Sequence, residues 1–349
     1  YTICFGMGYT WQQGLAIVFI SGLIFLAISI SPIRKQIIDS IPAPLKAAIS
    51  AGIGLFICLI GLLNAGIVTA GNNLLDLSSI TSGPALLALI GLLLTGILMA
   101  WKVKGALFIG ILVTTVIGIP MGVTNLSNVS ISFEGISIAP TFFKLSFVGL
   151  LSKGILPLLT AIVTFAMCDC FDTVGTLIGT AGSAGMLDEN GNLPRGDKAL
   201  IADAVATCTG ALMGTSTVTT FVESSTGISE GARTGLSSVV VGILFLLGCV
   251  LAPIAGIIPS AATAPALIIV GMFMIGNVAK IDWSDVEVAL PCFLTIAMMP
   301  FAYSISDGIG FGFISYTLIK MARGKFKEVP VLLYILSALF VVMYILAAL

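Results

Sequence analysis

Five acidic residues, Asp169, Asp172, Asp203, Glu223 and Asp307, lie in or beside long apolar runs, whereas the lysines and arginines keep to the breaks or the ends of such runs. A carboxylate inside a bilayer costs roughly 2.5–3.5 kcal/mol on insertion scales, so its retention points to a task. With no basic residue alongside, these groups must be protonated, hydrogen-bonded, hydrated, or turned toward a ligand rich in N–H donors. The chain contains no histidine, which removes the commonest proton shuttle and metal ligand. Cys168-x-Cys170 lacks zinc spacing, and the other cysteines sit mostly in apolar runs, where a thiol is a small hydrophobe. Proton chemistry therefore falls to carboxylates, and neither cofactor nor metal is expected.

Helical spacing in Cys168-Asp-Cys-Phe-Asp-Thr-Val-Gly-Thr-Leu177 puts Asp169 and Thr173 on one line and Asp172 and Thr176 on the neighbouring one, making a polar strip. For Asp169 and Asp172, helix–helix hydrogen bonding and ligand contact are both open readings. Asp203 divides between supporting a ligand site and orienting a neighbouring helix. Asp307, beside Ser304 and Ser306, reads as a solvated helix cap. Glu223 closes Gly214-Thr-Ser-Thr-Val-Thr-Thr-Phe-Val-Glu223, a β-branched run with strand propensity. Extended backbone at membrane depth survives only when buried in protein or lining a cavity. A broken helix of this kind marks transporter binding sites, because the half-helix that follows offers free N–H groups and the positive end of its dipole. Glu223 stands where that half-helix begins, as a ligand group or as a cap.

These residues are carried by membrane-spanning helices. Of 349 residues, 58% are hydrophobic and 9% charged, against about 25% charged in soluble domains, and mean hydropathy is +1.16. Spans are expected at 12–30, 45–68, 84–101, 104–122, 152–180, 199–214, a short one at 221–231, then 235–257, 262–278, 286–303, 306–322 and 330–348. Basic residues gather in alternate breaks, which places 31–46, 183–198 and 320–328 on the cytoplasmic side and 123–151 opposite. The apolar, Gly-rich opening Tyr1–Tyr9 is too short to span and reads as the remainder of a helix that begins earlier. Net charge is -1 with no basic cluster outside short loops, so the electrostatic footprint of a nucleic-acid binder is missing. The run Gly175–Gly185 has no Gly-Lys-Ser/Thr after it and is no nucleotide loop. Its Gly175 and Gly179, like Gly308 and Gly312, suit close helix packing.

At these residues the sequence resembles the nucleobase:cation symporter-2 proteins, specifically the AzgA-like purine permeases for adenine, guanine and hypoxanthine. The matching stretches are Phe171–Leu177, Gly214–Ile228, Ala264–Gly271 and Ala297–Ile305. The resemblance implies an all-α integral membrane fold of two inverted seven-helix repeats, with a short membrane-embedded strand before a half-helix and the first two helices missing. It also implies core-domain segments at 1–44 (partial) and 123–258 and gate-domain segments at 45–122 and 259–349. Carried over residue by residue, Asp172 and Glu223 resemble the substrate carboxylates, with Thr176 and the backbone of Phe221 and Val222 beside them; Asp203 resembles a supporting acid.

The implied activity is secondary active, proton-coupled uptake of purine bases by a multi-pass protein of the cell membrane, with the purine and lipid as partners and a homodimer as a compatible assembly. A purine is flat and neutral with N–H donors on its edge, so a carboxylate can accept two of them. If a carboxylate among Asp172, Glu223, Asp203 and Asp169 titrates between the two facing states, proton and base move together; which one does so stays open. Rival readings are a transporter of another nucleobase or a small anion on the same fold, a channel, and a membrane-embedded enzyme. Glu223 argues against an anion site, and the sequence offers an enzyme little beyond an aspartyl pair.

Overall fold

The computed structural model describes residues 3–4, 8–31, 40–69, 75–125, 137–183, 185–186, 188, 193–221, 224–229, 231–250 and 256–348. Its helices are α1 (Trp11–Ile30), α2 (Ala43–Asn64), α3 (Gly83–Ala100), α4 (Ala106–Ile117), α5 (Ile155–Ser183), α6 (Gly196–Met213), α7 (Ser224–Ser229), α8 (Gly235–Val250), α9 (Ser260–Ile275), α10 (Val286–Phe301), α11 (Ile305–Ala322) and α12 (Val331–Ala348). Each falls on an expected span. α1, α2, α3 and a stretch from Ser260 to Lys280 are individually long and apolar enough to cross a membrane, with shorter apolar helices besides. The protein is an all-α, multi-pass integral membrane protein. The span expected at 45–68 stops at Asn64, because Val68–Thr69 (β1) pairs with Asp76–Leu77 (β2) in a two-residue antiparallel ladder.

Local chemistry sets the helix ends. Thr10 and Gln13 form a capping box at the start of α1, and the Asp285 carboxylate accepts from the Glu287 N–H at the start of α10. Ser304, not Asp307, caps α11: its hydroxyl accepts from the Asp307 N–H, and Asp307 occupies the first turn. There its charge faces the positive end of the helix dipole. α6 ends at Gly214, whose φ of +97° is a conformation that glycine adopts without strain, and a Cβ there would run into Thr141.

The chain divides into two compact units. The first comprises 1–53, 137–222 and 277–349. A cluster of Ile17, Leu150, Ala161 and Ile162 with Tyr9 joins α1 to α5, and α1 lies so close to α6 that a Cβ on Gly22 would come within 3.0 Å of Thr207 and Cys208. Segment 137–149 laces the helix ends: the Phe143 N–H donates to the Leu212 carbonyl at 2.8 Å and the Ser146 N–H to the Gln12 carbonyl at 3.1 Å. α11 packs on α10 through Gly308 and Gly312, where added Cβ atoms would overlap Met299 and Thr295. α12 docks on α11 through an edge-to-face pair, Phe313 with Phe340, and a Thr317–Ser337 hydroxyl bond of 2.9 Å.

The second unit comprises 54–136 and 223–276. Ala85, Leu87 and Ala88 of α3 pack with Ala261 and Ala264 of α9. Gly91 meets Thr114 of α4 and Pro265 of α9, and a Cβ on Gly54 would stand 2.7 Å from the Gly271 carbonyl oxygen. Small residues thus let backbones approach, as expected for helices that gain nothing from hydrophobic burial against lipid.

Candidate functional site

Asp169 and Thr173 lie one turn apart on α5, and Asp203 and Thr207 one turn apart on α6. The two pairs are crossed. The Thr173 hydroxyl donates to Asp203 Oδ2 at 2.7 Å, and Thr207 Oγ1 lies 3.0 Å from Asp169 Oδ2. All four residues are buried. Neutral hydroxyls are suitable partners here, since they supply donors without adding charge to a low-dielectric interior.

The backbone after Gly214 does not continue α6. Residues 215–221 are non-helical, and α7 begins at Ser224, so the expected helix break and half-helix are both present. This non-helical run pairs with no strand among the described residues. Side chains fasten it instead: the Thr220 hydroxyl donates to Asp203 Oδ1 at 2.9 Å, and the Val218 carbonyl lies 3.1 Å from Thr207 Oγ1. A Cβ on Gly210 would press on Val218 and Thr215, so the segment lies close against α6.

The two bonded carboxylates differ. Both oxygens of Asp203 accept hydroxyl protons. Asp169 has one oxygen on Thr207 and the other, buried, with no hydrogen-bond partner among the described residues. Asp172 is half-buried on the neighbouring line of α5, and among the described residues no hydrogen bond or ion pair reaches it. Thr176, one turn on, is fully buried, and its hydroxyl has no partner among the described residues. Phe221 is exposed at the end of the non-helical segment. Val222 and Glu223 lie outside the described residues, so the structure brings together Asp169, Asp172, Asp203, Thr176 and the segment up to Phe221. Thr207 and Thr220 were not singled out from the sequence. The signal was the repeat of Asp-x-x-x-Thr at 169/173 and 203/207.

Charge of the opposite character gathers elsewhere. Glu287, in the first turn of α10, accepts from Lys320 at 3.0 Å, Arg323 at 2.7 Å and Lys325 at 2.8 Å, and Lys320 also bonds Glu328 at 2.7 Å. Lys320 is itself buried. This network ties the start of α10 to the end of α11, and none of its cations approaches Asp169, Asp172 or Asp203 among the described residues.

Comparison with known proteins supplies context. The permease family model Xan_ur_permease matches residues 1–311. The chain is 44% identical over 337 residues to the guanine/hypoxanthine permease PbuG of Bacillus subtilis, covering 96% of this chain and 76% of that protein. It is 38% identical over 338 residues to the adenine permease AdeP of Escherichia coli, covering 96% and 74%. The transmembrane domain of the cyanobacterial bicarbonate transporter BicA shares the fold, with a TM-score of 0.62, 18% identity and coverage of 85% of this chain and 76% of that one.

Proposed function

This chain belongs to the Xan_ur_permease family of permeases, and on that premise we propose that it carries purine nucleobases across the cell membrane by proton-coupled secondary active transport. One observation carries the reading: the half-buried Asp172 carboxylate has no donor or cation beside it among the described residues, within a site otherwise built of acids and hydroxyls. Such a site repels anions and favours a neutral ligand whose N–H edge supplies the missing donors. Guanine, hypoxanthine and adenine are of that kind, and relatives carry permease names for all three.

In this reading Asp172 and Glu223 accept the purine N–H groups, with Thr176 and the backbone of Phe221 and Val222 completing the contacts. Asp203 supports the site by holding Thr220, and a proton enters and leaves on the carboxylates as the core segments (1–44, 123–258) move against the gate segments (45–122, 259–349). The driving term is differential affinity between the two facing states, since a ligand shifts a conformational equilibrium only by what it gains in one state over the other.

The test is uptake of radiolabelled guanine, hypoxanthine and adenine by the full-length protein in cells lacking their own permeases, with and without a protonophore. Accumulation above the external concentration that collapses with the protonophore is expected. Uptake of none of the three bases would overturn the reading.

A further inference from the structure

Thr207 Oγ1 stands 3.0 Å from Asp169 Oδ2 and 3.1 Å from the Val218 carbonyl oxygen. A threonine hydroxyl has one proton to give, a backbone carbonyl can only accept, and an ionised carboxylate can only accept. Thr207 therefore cannot serve both neighbours while Asp169 is charged. With a proton on Asp169 Oδ2 the count closes: Asp169 O–H donates to Thr207 Oγ1, and Thr207 O–H donates to the Val218 carbonyl. Remove that proton and Thr207 must turn its own toward Asp169, which leaves the Val218 carbonyl without a donor.

We propose that Asp169 carries the coupling proton and that the Thr207 hydroxyl relays its presence to the 215–221 segment by turning between Asp169 and the Val218 carbonyl. The inference rests on the proton-coupled reading above and assigns within it the carboxylate that the sequence left open. Asp203 has a hydroxyl partner on each oxygen, Thr173 and Thr220, whereas Asp169 keeps one buried oxygen without a partner among the described residues, and there is room in its bonding for a proton. One proton is taken from water on the side to which the site is open, held on Asp169, and returned on the other side; no bond other than the O–H forms or breaks.

The consequence for the base is direct. With the proton bound, the segment is fastened to α6 at Val218 and at Thr220, close to Phe221. Without it, the Val218 anchor is lost and the segment is held by Thr220 at Asp203 and, at its start, by the Thr215 N–H on the Gly210 carbonyl. Proton and purine therefore bind cooperatively, and by linkage each raises the affinity of the other by the same factor.

Among the described residues, the other ionisable groups around Asp169 are few. From α6 they are Asp203 and the Cys208 thiol; on its own helix they are Asp172 and Cys170. α1 carries no ionisable side chain between Trp11 and Ile30, and α2 carries a buried Lys46. On α11, Lys320 engages Glu287, Glu328 and the Tyr316 ring, while Tyr344 of α12 bonds the Asp307 carbonyl and Tyr334 the Phe326 carbonyl.

The experiment uses the full-length protein in proteoliposomes, measuring purine affinity against pH, uphill uptake driven by an imposed pH gradient, and base exchange at equal pH. The wild type should lose affinity by about tenfold per pH unit on the alkaline side, where the coupling proton must be bought from solution. Asp169→Asn should flatten that slope and abolish gradient-driven accumulation, with exchange persisting at a reduced rate. Thr207→Val, which keeps the shape but loses the hydroxyl, should flatten the slope as well, and Thr207→Ser should restore it. A wild-type slope and gradient-driven uptake in Asp169→Asn would overturn the proposal while leaving proton coupling intact. Should Asp169→Asn fail to fold, the threonine pair decides, and equal slopes in Thr207→Val and Thr207→Ser would overturn it. A wild-type protein that exchanges purine with no pH dependence at all would sink the proton-coupled reading itself, and this inference with it.

Discussion

Thr173 of α5 gives its hydroxyl proton to Asp203 of α6 at 2.7 Å, with Thr173 wholly out of solvent. Removing that donor leaves a buried carboxylate oxygen unserved, a loss of about 1–3 kcal/mol. Thr173→Val should therefore lower the melting temperature of the purified full-length protein, and Thr173→Ser should recover most of the difference. Equal melting temperatures for Thr173→Val and wild type would show that water replaces the bond.

Substrate contact by Asp172 and Glu223 predicts a loss that reads out as affinity. Asp172→Asn and Glu223→Gln each keep the side-chain shape but forfeit a charged acceptor, at about 1.5–3 kcal/mol, a roughly ten- to hundredfold weaker purine dissociation constant. Asp307→Asn is the control: its side chain sits in the first turn of α11 beside the Ser304 cap, and binding should be close to wild type. Isothermal titration or equilibrium binding of labelled base would measure all three, and wild-type affinity in both site variants would make these carboxylates structural.

Two glycines in apolar helices should respond with opposite signs. A Cβ on Gly312 would overlap Thr295, whereas one on Gly96 of α3 meets nothing within 4 Å. Gly312→Ala should cost about 1–3 kcal/mol by overpacking, and Gly96→Ala should gain about 0.5–1 kcal/mol by restraining the unfolded backbone. Thermal unfolding in detergent compares them directly; destabilisation by both would mean that the α3 surface is occupied.

Glu287 gathers three cations, one of them buried, while Glu328 is half-exposed and bonds Lys320 alone. Glu287→Gln should lower the melting temperature more than Glu328→Gln does, and the difference should persist in high salt, because buried pairs are screened little. Stability equal in the two variants would mark the network as ornamental.

Much of this was legible in the sequence. The helices were, because an apolar run of some 20 residues between polar breaks has few structural alternatives, and the carboxylates of α5 and α6 stood out by the cost of placing them there. The helix break after Gly214 was legible from its β-branched residues, yet the manner of holding it was not. Strand propensity suggests a partner strand, whereas the segment hangs on Thr220 and on the Thr207 hydroxyl beside the Val218 carbonyl. Which helix faces which is a tertiary fact, and so the crossing of Asp169 with Thr207 and of Asp203 with Thr173 had to be seen. The Glu287 network escaped for the same reason: its acid sits at the start of one span and its bases at and beyond the end of the next, 33 residues apart in the case of Lys320, and each looks like an ordinary charge at a span end on its own.

The two anchors of the 215–221 segment also act as a ruler. Asp203 and Thr207 are four helical residues apart, about 6 Å along the α6 axis, and they take hold of Thr220 and Val218, two residues apart in a non-helical stretch, which at the rise of a strand would span about 6.6 Å. The chain thus runs back along α6 with its spacing matched to one helical turn. Adding or deleting a single residue between 218 and 220 would offset one anchor by about 3.3 Å, more than a hydrogen bond tolerates. Length changes in this part of the molecule are therefore confined to either side of that interval.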